Sequence, residues 1–219
     1  MYVKNIMRKD PVTIAPEASY LDARALVRER GVRHLPVIDK HNHMVGLLTD
    51  RDIREAGPSN ATLLSVQELH YLLGKLKVVD FMTPGDKLVT VNPSTMIEKA
   101  AQLMHDHKIG CLPVLEGKEV VGIITEADIL ESFVDVMGLK EKGTRITMAL
   151  KDEPGKIHGV LTVFKKHEVN LISIVAPSYE VEGKRMVVFR IRTQEYEEII
   201  KELEDHGYEV LSVVKWPSM

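Results

Sequence analysis

The chain carries one pattern twice, and an internal repeat limits the folds open to it more than any lone motif would. Residues 7–53 run Met7 … Pro11-Val12-Thr13-Ile14 … Leu35-Pro36-Val37 … Val45-Gly46-Leu47-Leu48-Thr49-Asp50-Arg51-Asp52-Ile53. Residues 82–129 run Met82 … Leu88-Val89-Thr90-Val91 … Leu112-Pro113-Val114 … Val121-Gly122-Ile123-Ile124-Thr125-Glu126-Ala127-Asp128-Ile129. The copies lie about 76 positions apart, with a drift of a residue or two. Each ends in Gly-h-h-Thr-x-x-Asp, where h is apolar.

Each copy reads as short strand, helix, strand, strand, helix. In the first, Thr13-Ile14 is a short strand and Ser19 to Arg30 a helix stopped by Gly31. Leu35 to Ile38 and Met44 to Leu48 are strands around the turn residues Asp39 to His43, and Asp50 to Ala56 opens the last helix. In the second, Ile97, Ala100, Ala101 and Met104 follow helical spacing, and Thr95 with Glu98 forms a capping-box pattern. Gly57-Pro58-Ser59-Asn60 breaks the chain, Ser65 to Leu73 reads as a linking helix, and Gly138 to Gly143 is a second break.

After that break the style changes. Arg145 to Leu150, Asn170 to Val175, Met186 to Ile191 and Tyr208 to Val214 read as strands. One helix follows the turn Asp152-Glu153-Pro154-Gly155 and carries the stripe Ile157, Val160, Leu161 and Phe164; another carries Tyr196, Ile199, Ile200 and Leu203 and is closed by Gly207. This βαββαβ order predicts a two-layer, ferredoxin-like domain, and the fold class as a whole is α+β. The expected organisation is residues 1–57 for the first repeat, 58–77 for a linker helix, 78–138 for the second repeat and 144–216 for the last domain.

Composition excludes several classes. The 219 residues are 44% apolar and 28% charged, ordinary for a globular protein, and no apolar run approaches a membrane span. A single cysteine, Cys111, leaves no disulfide framework or Cys-rich zinc site. With no signal-peptide pattern in the first residues, these features point to the cytoplasm. A net charge of −3 and the lack of a basic stripe argue against nucleic acid. The charge is uneven: the first repeat is net basic and the second net acidic.

The matched Leu-Pro-Val strands and Gly-h-h-Thr-x-x-Asp junctions resemble a tandem pair of CBS domains, a Bateman module. The resemblance implies two clefts between the repeats that bind adenine nucleotides or related adenosyl ligands. Asp52 and Asp128 would take the ribose hydroxyls. Thr49 and Thr125, near helix N-termini with unpaired N–H groups, would suit a phosphate oxygen. By resemblance, the backbone of Val12-Thr13-Ile14 and of Val89-Thr90-Val91 would read the adenine edge, flanked by apolar groups near Pro36 and Pro113. The same Thr-x-x-Asp pattern would equally serve as an N-terminal cap. The copies differ in charge: Arg33-His34 and Arg51 in the first stand where Gly110-Cys111 and Ala127 stand in the second. Arginine suits paired contacts with phosphate, so the cleft around Asp52 is expected to take the phosphorylated ligand.

Residues 144–216 resemble an ACT domain, a small-molecule sensing unit. The motif is a strand, then Asp152-x-Pro154-Gly155 and a helix, then Val169-Asn170-Leu171-Ile172. The resemblance implies an effector, an amino acid or other small metabolite, held by Asp152, Gly155 and Asn170. The alternative is that these residues only cap and turn in a dimerisation unit. The order CBS–CBS–ACT resembles the AcuB-type acetoin-utilisation proteins of bacteria, which implies a regulatory role linked to acetoin or acetate and acetyl-CoA metabolism.

His41-x-His43 and His105-x-His107 lack third and fourth ligands at matching spacing, so no metal is expected. Cys111 has no base beside it in sequence, and no P-loop or nucleophile elbow is present. The expectation is a non-catalytic regulatory protein without a catalytic cofactor. It takes an adenine nucleotide (AMP, ADP or ATP) as ligand, pairs as a homodimer, acts on an unidentified protein target, and binds neither nucleic acid nor membrane. The alternative is a ligand-independent interaction adaptor with empty clefts.

Overall fold

Turn chemistry and apolar periodicity give both repeats the same run of elements. The structure is a computed structural model that describes residues 1–58, 65–178 and 180–216. Ser59 and Asn60 of the expected chain break lie outside those residues. The chain forms two compact units, Met1–Ile129 and Leu130–Met219.

The first unit holds β1 (Arg8–Lys9), α1 (Tyr20–Arg30), β2 (His34–Ile38), β3 (Met44–Thr49), α2 (Asp50–Ala56), α3 (Val66–Lys75), β4 (Thr83–Pro84), α4 (Ile97–His107), β5 (Cys111–Glu116) and β6 (Glu119–Thr125), and α5 (Glu126–Val136) starts within it. Ser19 caps α1. Its Oγ accepts from the Asp22 N–H at 3.1 Å, and Asp22 Oδ2 accepts from the Ser19 hydroxyl at 2.7 Å and the Ser19 N–H at 3.0 Å, bonds that hold the Asp22 carboxyl below its ordinary range. Gly31 ends α1 at φ +61°, a left-handed position that suits glycine.

Two local expectations change. The short strand at Thr13-Ile14 narrows to one parallel bridge, Ile14 to Val37, with Val91 to Val114 as its twin. The capping box at Thr95 and Glu98 does not form. Helix α4 starts after Met96, and Thr95 Oγ1 accepts from the Asn92 N–H at 3.2 Å instead. The turn at Asn92, closed by Ser94 N–H to Asn92 Oδ1 at 2.9 Å, holds that hydroxyl away from the free N–H groups of the helix.

The repeats exchange their lead-in segments. Strand β4, at the start of the second repeat, pairs with β3 of the first; β1, at the start of the first repeat, pairs with β6 of the second. The three-stranded sheets are therefore β2-β3-β4 and β1-β6-β5. Apolar side chains follow. Val78 is buried with Ile14, Tyr20, Leu35 and Leu48, and Phe81 packs 5.8 Å from the Tyr20 ring. Val3 is buried with Ala100, Met104, Leu112 and Ile124. The exchange explains the glycine of each junction motif. A Cβ on Gly46 would meet Met82 Sδ and lie 2.9 Å from the Thr83 carbonyl, and one on Gly122 would lie 2.7 Å from Met7 Sδ and 3.0 Å from the Arg8 carbonyl. Only a bare backbone admits the crossing strand.

The second unit holds β7 (Gly143–Leu150), α6 (Lys156–Lys166), β8 (Leu171–Val175), β9 (Glu180–Val181), β10 (Lys184–Ile191), α7 (Glu197–Asp205) and β11 (Glu209–Trp216). Its antiparallel sheet has the order β11-β7-β10-β8, the ferredoxin-like arrangement, with β9 added on β10. Ile146, Met148, Val187, Phe189 and Ile191 alternate toward α6 and α7, and Phe164 meets Phe189 edge-on at 5.5 Å. Val160, Val163 and Phe164 form the buried stripe of α6, while Ile157, expected within it, is 38% exposed in the first turn.

Candidate functional site: two clefts between the repeats

Strand β3 runs without a loop into α2, and β6 into α5, so each Thr-x-x-Asp sits where a strand becomes a helix. Thr49 Oγ1 accepts from the Asp52 N–H at 3.2 Å; Asp52 Oδ2 accepts from the Thr49 N–H at 2.8 Å and its hydroxyl at 2.7 Å. Thr125 and Asp128 repeat this, with 2.8 and 2.6 Å to Asp128 Oδ2 and 3.4 Å from the Asp128 N–H. Each Asp thus spends one oxygen on a capping box. The other oxygen differs. Asp52 Oδ1 has no hydrogen-bond partner among the described residues, whereas Asp128 Oδ1 takes Arg8 Nε at 3.4 Å.

Each cleft is built from both repeats. A cavity of about 590 Å³ joins Thr49, Arg51 and Asp52 to Leu88, Val89, Gly110, Cys111 and Pro113, with Lys87, His107 and Lys108 also lining it. A smaller one, about 190 Å³, joins Thr125 to Val12, Arg33 and His34, with Arg8 and Lys9. Arg33 therefore shares a cleft with Thr125 and not with Asp52, the reverse of its expected partner. His34 lines both cavities. Arg51 is exposed at the larger cleft and bonded to Glu55 at 2.7 Å.

The expected adenine-reading segments are partly committed elsewhere. Ile14 donates to the Pro36 carbonyl at 3.1 Å and accepts from Ile38 at 3.0 Å; Val91 donates to Pro113 at 3.1 Å and accepts from Leu115 at 2.9 Å. Both are buried. Thr13 and Thr90 make no backbone hydrogen bond among the described residues. Val12 and Val89 line the cavities; Pro36 is buried in β2.

His34 and Cys111, at equivalent places in the two repeats, both line the larger cavity. Burial pushes the His34 imidazole below its ordinary pKa, with Arg33 adding to the effect, against the opposing charges of Asp50, Glu126 and Asp52. Burial, with Glu126, pushes the Cys111 thiol up to about 12. That thiol stays protonated at neutral pH and is no nucleophile.

In the second unit the expected effector residues lie apart. Asp152 lines a recess of about 270 Å³ with Lys156, Ala176 and Arg185, and Arg185 Nη1 stands 3.7 Å from Asp152 Oδ2. Asn170 lines another, about 310 Å³, with Leu161, Phe164 and Lys165, and its carbonyl accepts from the Arg192 N–H at 2.8 Å. Gly155 precedes α6 at φ +88°, where a side chain would be strained. Among the described residues no three His, Cys, Asp or Glu side chains group to hold a metal, and no helix is long and apolar enough to cross a membrane.

The sequence reading missed Arg8, Thr83, Lys87 and Lys108. Arg8 and Thr83 directly follow the matched Met7 and Met82, so the repeat alignment carried a signal for them.

Residues 3–59 and 78–135 match the family model of the CBS domain, and residues 142–214 that of the TTHA0829-like ACT domain. Inosine-5'-monophosphate dehydrogenase of Pasteurella multocida (strain Pm70) is 31% identical over 149 residues, 68% of this chain and 25% of that protein. The enzyme of the same name from Staphylococcus aureus (strain Mu50 / ATCC 700699) is 28% identical over 156 residues, 70% of this chain and 26% of that one. The chain spans about a quarter of the length of these curated relatives. A Vibrio cholerae structure described as an acetoin utilization protein (AcuB) shares 27% identity and a TM-score of 0.52, covering 64% of this chain and 94% of that one. CBSX2 in complex with AMP shares 30% and 0.51, over 62% and 98%. The CBS domain pair of protein MJ0100, in complex with 5'-methylthioadenosine and S-adenosyl-L-methionine, shares 27% and 0.50, over 61% and 95%.

Proposed function

Because the chain belongs to the CBS-domain family, with two CBS domains and a TTHA0829-like ACT domain, we propose that it is a non-catalytic regulatory protein whose CBS pair binds an adenosyl ligand. The carrying observation is the uncommitted Oδ1 of Asp52 at the larger cleft, opposite Leu88, Val89 and Pro113. That oxygen accepts from a ribose hydroxyl without breaking the cap; Lys87, Lys108 and Arg51 at the same cleft supply positive charge for a phosphate tail. The AMP, 5'-methylthioadenosine and S-adenosyl-L-methionine found with related CBS pairs support this class of ligand. In this reading residues 1–57 and 78–138 are the two CBS domains, joined by 58–77, and 144–216 is the ACT domain. The molecule works as a cytoplasmic homodimer. Its likeness to the Vibrio cholerae protein supports a role in acetoin or acetate metabolism, and the ACT domain receives a second small effector near Asp152 and Gly155 or near Asn170. Ligand shifts the arrangement of the repeats only through unequal affinity for two arrangements.

The test is thermal unfolding of wild type and Asp52→Asn with AMP, ADP, ATP and S-adenosylmethionine. Asparagine keeps an oxygen for the cap and removes the charge. A ligand at 100 times its Kd stabilises by about 2.7 kcal/mol, a rise of roughly 5–10 °C for a chain of this size. The expected outcome is a rise with wild type that Asp52→Asn loses. No rise with any of the four sinks the reading and favours the ligand-independent adaptor, in which Asp52 and Asp128 are caps alone.

A further inference from the structure

The second unit's sheet buries a charge that no acidic side chain among the described residues answers. One face of that sheet packs on α6 and α7 through Ile146, Met148, Val187 and Phe189. By alternation, Arg145 and Arg190 lie on the other face. They are directly opposite each other on β7 and β10, in a row that runs Val214, Arg145, Arg190, Ser173 across four strands. Like charges set directly opposite destabilise a strand pair. The row deepens inward: Val214 is 45% exposed, Arg145 half-buried, and Arg190 3% exposed.

Arg190 lies under the Trp216 ring, its Cζ 4.9 Å from the ring centre, and Trp216 Nε1 is anchored on the Leu139 carbonyl at 2.9 Å. Its Nη1 is buried with no hydrogen-bond partner among the described residues. Arg145 Nη1 donates to Thr147 Oγ1 at 2.7 Å, a neutral acceptor. No ion pair reaches either arginine among the described residues. Arg192, two positions along the same strand face, shows the usual solution, an ion pair with Glu141 at 2.7 Å. Burial and the charge of Arg145 both act against the Arg190 cation. A buried, unpaired charge costs several kcal/mol unless a counter-charge meets it.

We propose that Arg145 and Arg190 form a binding site for a small oxyanion, the carboxylate or phosphate group of a metabolite, separate from the Asp52 cleft and from the recesses at Asp152 and Asn170. Two guanidinium groups match an acceptor that presents two oxygens. The half-buried Arg145 beside the exposed Val214 is the entry side, and Arg190 under the indole is the floor. A guanidinium stacked on one indole suits a small anion and not a protein segment.

Trp216 is the chain's only tryptophan, so its emission reads this site alone. The full chain is titrated with potassium phosphate and, separately, with succinate, against potassium chloride at matched ionic strength. A saturable change with phosphate identifies a phosphate-bearing ligand, and one with succinate a carboxylate. In either case Arg145→Gln weakens the response about tenfold or more, and Arg190→Met removes it. Arg190→Met also unfolds at a higher temperature than the anion-free wild type, because it removes an unanswered buried charge. A merely structural arginine would give the opposite shift. Should Arg190→Met fail to fold, the half-buried Arg145→Gln carries the test. A response equal to that of chloride overturns the proposal, as does one that survives both substitutions. So does a signal that follows protein concentration without added anion, since a second copy's carboxylate would then be the counter-charge.

Discussion

Asp52 and Asp128 close the same capping box at the same strand-to-helix junction, yet among the described residues only Asp52 keeps an oxygen in reserve. The difference does not arise within the junctions. It comes from the exchanged lead-ins, which place Arg8 beside Asp128 and Thr83 in the cleft of Asp52. Two nearly identical local motifs thus acquire unequal clefts, about 590 and 190 Å³, from strands that belong to the other repeat. Matched sequence guarantees matched local geometry, and the chemistry of a cleft depends on what crosses it.

The largest effect is expected where the exchange itself is broken. Gly46→Val and Gly122→Val each force a side chain into the crossing strand and cost about 2–3 kcal/mol, as overpacking does. Denaturant midpoints measure this. If one variant unfolds like wild type, the lead-in on that side is not held as described, and the symmetry of the exchange fails.

The next effect is on binding. Asp128 does not itself line the smaller cavity, but its partners Arg8 and Thr125 do. Arg8→Ala releases Asp128 Oδ1 toward it, and this cleft should then bind 5'-methylthioadenosine, which carries no phosphate, about tenfold more tightly, or about 1.4 kcal/mol. Calorimetry would register a strengthened second event. A loss of affinity would instead make Arg8 part of the ligand's grip.

The smallest effect is a pH dependence confined to one repeat. His34 has its pKa lowered by burial, so between its folded value and the ordinary value near 6.5 the unfolded chain binds more protons. Stability is therefore full above about pH 6.5 and falls as pH drops through the folded value. Cys111, its counterpart, stays protonated throughout this range. Unfolding midpoints from pH 7.5 to 5 should decline less in His34→Gln than in wild type. Equal slopes would show that His34 does not set the asymmetry.

How much could be read in advance follows the range of the interactions. The junction caps were legible because a Thr hydroxyl and an Asp three residues later meet within one helical turn. The ferredoxin-like order was legible because each strand and helix carries its own period. The cap at Thr95 misled, since the turn at Asn92 competes for the same hydroxyl two to three residues away. Arg33 misled for a longer-range reason. It precedes β2, the partner of the strand that leads to Asp52, but lines the cavity with Thr125, because each cleft takes its walls from both repeats. Arg145 and Arg190 attracted no notice as separate strand residues; only the register of β7 and β10 sets them opposite each other.

The amino-acid sequence by itself determined the repeat, the elements within it, the two Thr-x-x-Asp caps and the class of each domain. All of these rest on contacts between residues a few positions apart or on periodicity within one segment. The tertiary structure alone decided that β1 pairs with β6 and β4 with β3, which aspartate keeps an oxygen without a partner among the described residues, and which arginines share one row of the sheet. Those outcomes depend on pairings between segments far apart in the chain, whose register is set by the burial of whole sheet faces and not by any local run of residues.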